Sequence, residues 1–489
     1  MPPTTPFFKA FGPLLFGRRS KSALESISAL ESLEDLYAIF GEMFAAKLLE
    51  RSEKGTNSRQ RSLPPHVTFW AFVAQALSPR SSCREVVRRV EAWWRWGQLR
   101  SASSLTDSAY VQARRRLDLQ TLRLIQRQVA WHLERNVNRK EHWLEGRSVK
   151  IVDGTSFSMP DTAANQAAWP QPSGQKPGCG FPVAKLVGVF SLASGALLEQ
   201  AVDHLHVHDS HLFRTLWDQL EDGDVVLADR AFCSYGAMAS LMRRGVDTVC
   251  RLHQMRKVDW RRGRRLGPGD QLVTWSKPAL PLENWTQTEW EALPGELAVR
   301  LIRVIVETPG FRTRTVLLAT TLTDAGLYPA DDLRQLYAQR WNIELHFAQI
   351  KTTLGLDVLR CQSPGMIQKE LQVHLIAYNL VRALMQKAAH LYQVPLERLS
   401  FKGSLDTLRH WAAAIHASSK TPRKQAELIN RMLQAIATDP NPARPGRSEP
   451  RARKRRPKTY QLLTQPRREM KIIAHREKYR APRPKTALS

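Results

Sequence analysis

The sequence predicts an α/β fold: a mixed sheet flanked by helices, with a β-rich insertion, an all-α N-terminal domain and a helical, then basic, C-terminal region. Three observations predict it. Helical periodicity alone fills roughly residues 20–145, short apolar strands then alternate with helices, and β-type alternation takes over from 254 to 320 before helices return.

The N-terminal domain, 1–145, opens with Ala29 to Arg51, where Leu33, Leu36, Tyr37, Ile39, Phe40, Met43 and Phe44 recur near the helical period. A second helix follows Pro64 and Pro65. Ser81 and Ser82 suit the cap of a third, Cys83 to Trp96, which ends in Trp93, Trp94, Arg95 and Trp96 before Gly97. A fourth is expected over Ser108 to Asn136. Its Arg114, Arg115 and Arg116 are candidates for gripping DNA phosphates, or else the solvated basic face of a bundle.

The pattern changes at Arg147. The segment Ser148 to Gly154 reads as a buried strand ended by a glycine turn, and strands at Val183 to Leu192 and Ala196 to Val207 follow as a hairpin. Helix and strand then alternate through His211 to Leu220, Asp224 to Asp229, Tyr235 to Arg244 and Asp247 to Leu252. These form a first catalytic part, 146–253. The β-rich insertion, 254–320, holds the basic turn Arg261 to Arg265 and Trp275, Trp285 and Trp290. A second catalytic part, 321–385, carries a helix from Pro329 through Gly355; a helical region suited to dimerisation, or equally to closing the catalytic domain, spans 386–438, and a basic flexible tail with the run Arg451 to Arg456 spans 439–489.

The 489 residues suit several domains, and 73 Lys plus Arg against 45 Asp plus Glu give a formal charge of +28. Such a surface draws a polyanion by counterion release, which makes nucleic acid the leading partner. There is no run of eighteen apolar residues and no secretory leader pattern, so no membrane role is expected. The expectation is a soluble cytoplasmic protein, nucleoid-associated when bound. Five scattered cysteines without a CxxC pair argue against zinc or disulfide work.

Two aspartates follow buried apolar runs, Val149-Lys-Ile-Val-Asp153 and Val225-Val-Leu-Ala-Asp229. Carboxylates at such strand ends sit rigidly at the rim of a sheet and suit hard cations such as Mg²⁺ or Mn²⁺. Taken singly, each is also an ordinary turn or cap signal. Tyr337, Arg340, Glu344 and Lys351 are more specific: at about 100° per residue they share a stripe roughly 60° wide. Leu333, Leu336, Ile343, Phe347, Ile350 and Leu354 form an apolar stripe beside it, which places Glu344 at the edge of the buried face. Gln339 and His346, opposite, call for no special reading.

The spacing Tyr337-x2-Arg340-x3-Glu344-x6-Lys351 resembles the YREK signature of the insertion-sequence-4 family of DDE transposases residue for residue. Gly154 and Thr155 after the first aspartate, Arg230 and Phe232 after the second, Tyr110 to Leu117 and Arg456 to Arg467 are similar to that family too. The resemblance covers roughly 65–465 and implies a ribonuclease-H-like catalytic core interrupted by the β insertion. It implies two Mg²⁺ ions, replaceable by Mn²⁺, on Asp153, Asp229 and Glu344, with Asp153 bridging. Tyr337, Arg340, Lys351 and Arg230 would hold DNA, and Trp275, Trp285 and Trp290 are candidates for stacking a flipped base, although tryptophan in a β insertion is more often core. The implied activity is cleavage of double-stranded DNA at terminal inverted repeats and joining to target DNA through a hairpin, by a homodimer.

Two competitors keep the basic surface: a metal-dependent nuclease or resolvase of the same fold, and a domesticated DNA-binding protein without catalysis. His204, His206, His208 and His211 invite zinc but lack a carboxylate or cysteine at matching spacing, and Ser156 lacks the Gly-x-Ser-x-Gly context of a hydrolase.

Overall fold

Four helices lead into the sheet of the computed structural model: α1 (Pro65–Leu77), α2 (Cys83–Trp96), α3 (Asp107–Arg116) and α4 (Leu119–Arg135). The structure describes residues 63–442 apart from 80, 97–104, 139–141, 145, 282–284, 306–314 and 418–420, together with 40, 43, 463–466, 469 and 470. The helix expected over Ala29 to Arg51 lies outside the described residues except for Phe40 and Met43, as do the side chains of Trp93 to Trp96 and the run Arg451 to Arg456.

The one helix expected over Ser108 to Asn136 is two. Asp118 accepts from the Thr121 amide at 2.7 Å and so caps α4, as Thr106 caps α3 through the Ala109 amide at 3.1 Å. Arg114 at the end of α3 is a correction to the DNA-gripping triplet. It is buried, with its guanidinium over the rings of Phe72 at 4.8 Å and Tyr110 at 4.9 Å and Nη2 3.3 Å from Cys83 Sγ. Packing against two aromatic rings outcompetes solvent for this planar cation. Arg115 and Arg116 remain exposed.

The sheet has nine strands in the order β3-β2-β1-β4-β5-β9-β8-β7-β6. β1 (Val149–Ser158) pairs antiparallel with β2 (Val183–Ser191), which pairs antiparallel with β3 (Leu197–His204) across a turn at Gly195, φ +68°. On its other side β1 is parallel to β4 (Val225–Ala228), itself parallel to β5 (Asp247–Arg251). The arrangement 3-2-1-4-5, with three central parallel strands, is ribonuclease-H-like. Helices α5 (Ala163–Ala168), α6 (Asp209–Arg214) and α7 (Tyr235–Arg243) join these strands.

The β-rich insertion does not form a sheet of its own. Its strands β6 (Arg264–Gly267), β7 (Asp270–Ser276), β8 (Glu296–Ile305) and β9 (Thr315–Thr320), with α8 (Gln287–Glu291) between β7 and β8, extend the catalytic sheet because β9 pairs with β5, Cys250 opposite Ala319. That pairing satisfies a row of backbone groups that β5 would otherwise leave open.

Successive residues of β1 serve opposite faces: Ile151 enters a core shared with the N-terminal helices, Val152 one shared with α7 and Trp217. The glutamate-bearing segment is less regular than its periodicity predicts. It runs as α9 (Ala330–Ala338), a 3₁₀ turn (Gln339–Trp341), α10 (Asn342–Ala348) and a π turn (Gln349–Thr353). The 3₁₀ turn advances more than 100° per residue and the π turn less, so the polar stripe survives approximately.

The boundary expected at 386 falls within α11 (Pro364–Tyr392), which runs unbroken through the core. After it, α12 (Phe401–Ala417) and α13 (Pro422–Ala437) bury Leu405, Leu408, Met432, Leu433 and Ile436 in that same core. Those apolar positions considered for dimerisation therefore pack into the core beneath the sheet. Among the described residues no helix is long and apolar enough to cross a membrane.

Arg114→Ala is expected to cost roughly 2–4 kcal/mol by removing buried packing, whereas Arg115→Ala stays within about 0.5 kcal/mol. Urea unfolding of the two variants measures both.

Candidate active site

The carboxylates meet where the parallel ladder stops. Val152 lies opposite Ala228 in the last pair of β1 with β4, so Asp153 and Asp229 are next in line on adjacent strands. Contrary to expectation, β1 does not end at Gly154 but continues to Ser158, because β2 pairs with it through that residue. Only its parallel partner ends, and the chain leaves β4 in a 3₁₀ turn (Arg230–Phe232) that Asp229 caps by accepting from the Ala231 amide at 2.7 Å. Asp153 Oδ1 accepts from the Gly154 amide at 2.8 Å.

Arg340 joins sheet to helix. Its Nη1 lies 3.4 Å from Asp153 Oδ2 and its Nη2 3.5 Å from Glu344 Oε1. Both contacts are long for charge-assisted hydrogen bonds, and Nε, although buried, has no partner among the described residues. The guanidinium is thus gathered with the carboxylates without being consumed by them. Lys351 Nζ donates to Thr155 Oγ1 at 3.1 Å, and Thr155 shares the β1 face of Asp153 two residues earlier. Tyr337 is buried beside them, while Glu344 remains half exposed.

Burial and the neighbouring charges of Asp229 and Asp209 push the Asp153 carboxyl up to about 6, against the lowering effect of the Gly154 amide and Arg340. Crowded hard-oxygen donors of this kind fit a hard divalent cation, which would relieve their repulsion. As they lie, no three His, Cys, Asp or Glu side chains among the described residues stand close enough to hold one ion together, the histidines at 204, 206, 208 and 211 included.

The tryptophans divide. Trp290 is a correction: it is buried, donates to the Pro278 carbonyl at 3.1 Å and packs 6.3 Å from Tyr235. Trp285 packs edge-on to Trp290 at 5.7 Å beneath the Arg214 guanidinium at 4.1 Å, so it too belongs to the core and its border. Trp275 is half-buried at the border of the same core, with Arg256 3.8 Å over its ring. Arg230 is exposed at the rim, with Nη1 donating to Gln254 at 2.8 Å.

Sequence reasoning gave one feature, His346, no special reading and passed over another. His346 is buried on α10, stacked on Phe190 at 5.4 Å, and burial together with Arg382 brings its pKa down to about 3. On α4, Arg123, Arg127, Trp131 and Arg135 are exposed at four-residue intervals, with the Arg135 guanidinium 4.4 Å over Trp131 and Arg127 held by Glu199 at 2.6 Å. That spacing is legible in the sequence, where the adjacent arginine triplet drew attention instead.

The raised Asp153 carboxyl has a stability consequence. The folded state keeps this proton up to about pH 6, while an unfolded aspartate loses it near pH 4, so stability falls across that window as pH rises. With a chelator present, Asp153→Asn is expected to raise stability by about 1–3 kcal/mol at pH 8 and by little at pH 3, below both pKa values. Thermal unfolding at the two pH values measures the difference.

Residues 144–380 match the family described as "Transposase DDE domain", and residues 31–126 match "Insertion element 4 transposase N-terminal". The chain is 28% identical over 446 residues to "Transposase InsG for insertion sequence element IS4" of Escherichia coli (strain K12), covering 90% of this chain and 96% of that protein. A loose overlay, TM-score 0.41 at 10% identity, relates 84% of the chain to 85% of a chain in the cryo-EM structure of the piggyBac transposase synaptic complex with hairpin DNA. With both family matches on this chain, and the relative matched over nearly its whole length, the chain belongs to the DDE transposases of the insertion-sequence-4 family, enzymes that act on DNA.

Proposed function

We propose that this transposase cuts double-stranded DNA at terminal inverted repeats and joins the freed ends to target DNA by a cut-and-paste route through a hairpin. Asp153, Asp229 and Glu344 are the catalytic carboxylates. The observation that carries this reading is the Arg340 guanidinium, which bonds one carboxylate of the sheet and one of the helix at a single rim. The family uses divalent metal ions, and these three side chains would hold two Mg²⁺ or Mn²⁺. Such ions supply the charge that activates water or a 3′-hydroxyl and stabilises the departing oxygen.

The remaining residues position DNA. Arg340, whose Nε has no hydrogen-bond partner among the described residues and whose two carboxylate contacts are long, would turn donors toward a phosphate beside the carboxylates. Lys351 adds a point charge from the same side, anchored by Thr155. Tyr337, buried behind them, fixes the helix against the sheet, and Arg230 extends the basic rim. Trp275 is the remaining choice for stacking an extrahelical base, with Arg256 as the lid that would yield to it.

Away from the rim, Arg123, Trp131 and Arg135 on α4 form a second phosphate-contacting face, since an exposed aromatic under a guanidinium offers both a flat surface and charge. Because an element has two ends, the working form is a homodimer in which each active site cuts the end held by the other subunit.

Incubating the protein with its element's end DNA and Mg²⁺ tests this reading. Nicks, hairpins and joined products are expected on one gel, and alanine at Asp153, Asp229 or Glu344 abolishes all three while end binding persists. Cleavage without joining would mark a nuclease or resolvase, and no reaction a silent DNA-binding protein. For α4, the double variant Arg123→Ala, Arg135→Ala is expected to reduce the slope of log affinity against log salt by about two. Fluorescence anisotropy at graded salt reads that slope.

A further inference from the structure

A fourth carboxylate sits behind β1, against Gly154, the residue after Asp153. Consecutive residues of β1 face opposite sides of the sheet, so Gly154 looks toward α6 while Asp153 looks toward Arg340. A Cβ on Gly154 would stand 2.6 Å from Asp209 Oδ2 and 2.9 Å from its Cγ. Glycine at this position therefore leaves a notch, and the Asp209 carboxylate fills it. Asp209 is the first residue of α6.

The carboxylate does not stand alone. Asp209 Oδ1 lies 2.7 Å from Lys185 Nζ, which also donates to the Val207 carbonyl at 2.6 Å. Lys185 is opposite Ser156 in the β1–β2 register, on the same face as Gly154. The two side chains are only 28% and 19% exposed for Asp209 and Lys185, so their charges are weakly screened. Asp209 is among the charges that hold the Asp153 carboxyl up.

We propose that the Lys185–Asp209 pair, seated on the Gly154 notch, is a positioning element that sets the cation affinity of the site from behind β1. Asp209 strengthens attraction for a divalent cation and Lys185 restrains it. The pair has no need to touch the ion. Gly154 matters because any side chain there would push the pair away from the strand that carries Asp153. The inference rests on Asp153 being a metal ligand.

A purely structural ion pair, stapling α6 to β2, makes a different forecast: breaking it from either side would loosen the same contact and move affinity in the same direction. Charge tuning demands opposite directions. The test is Mn²⁺ titration of the full chain at pH 8 without DNA, followed by the electron paramagnetic resonance of free Mn²⁺, so that no turnover is needed. Asp209→Asn, which leaves Lys185 unopposed, is expected to weaken binding by on the order of three- to tenfold, and Lys185→Met to tighten it by a similar factor. The double variant returns near the wild-type value. Thermal unfolding of each variant checks that the fold is retained. Shifts in the same direction, or none, overturn the proposal while binding that is lost in Asp153→Asn upholds the site itself. Mn²⁺ binding that survives Asp153→Asn overturns the metal reading and this inference with it.

Discussion

The parallel pairing of β1 with β4 is the constraint on which the site depends. Its register places Val152 against Ala228 and then stops, leaving Asp153 and Asp229 side by side with no further ladder between them. A slip of one residue would turn every side chain of one strand to the other face and send its aspartate away from the Arg340 side. The register is held from both faces, since Ile151 and Val152 are each fully buried in a different core. Apolar packing thus sets the position of charged groups.

That placement brings like charges together. Asp153 is crowded by Asp229 and partly buried, and the Arg340 guanidinium meets it in a contact of 3.4 Å, long for a charge-assisted hydrogen bond. Fold stability and site chemistry pull apart here, as they do where a protein keeps a cluster ready for a ligand. The helix end supplies the other half. A 3₁₀ turn before Asn342 and a π turn after Ala348 break the regular winding around Glu344, so the segment bends its polar stripe to the rim while Ile343, Phe347 and Ile350 stay in the core.

Much of this was legible in the sequence. Four mostly apolar residues before each aspartate announced strands ending at a rim, and the spacing of Tyr337, Arg340, Glu344 and Lys351 announced a shared face. What was not legible depended on partners distant in sequence. That β1 continues past Gly154 is decided by β2, that the insertion joins the sheet is decided by the open edge of β5, and that α11 crosses residue 386 unbroken is decided by the core around it. Arg114 reads as a surface cation until the rings of Phe72 and Tyr110 are seen against it, and Trp290 as a stacking platform until its contacts with Tyr235 and Pro278 are seen. Local pattern reports the face a residue occupies, and only tertiary packing reports what covers that face.

The central claim is that Asp153, Asp229 and Glu344 form one metal-binding rim. A crystal structure of the protein with Mn²⁺ and an end-DNA duplex, with data collected at the manganese absorption edge, tests it most directly. The account predicts anomalous peaks within about 2.0–2.4 Å of carboxylate oxygens of all three residues, with Arg340 turned from Asp153 toward a phosphate. Manganese bound elsewhere, or Arg340 still bridging Asp153 and Glu344 while DNA fills the site, would contradict it.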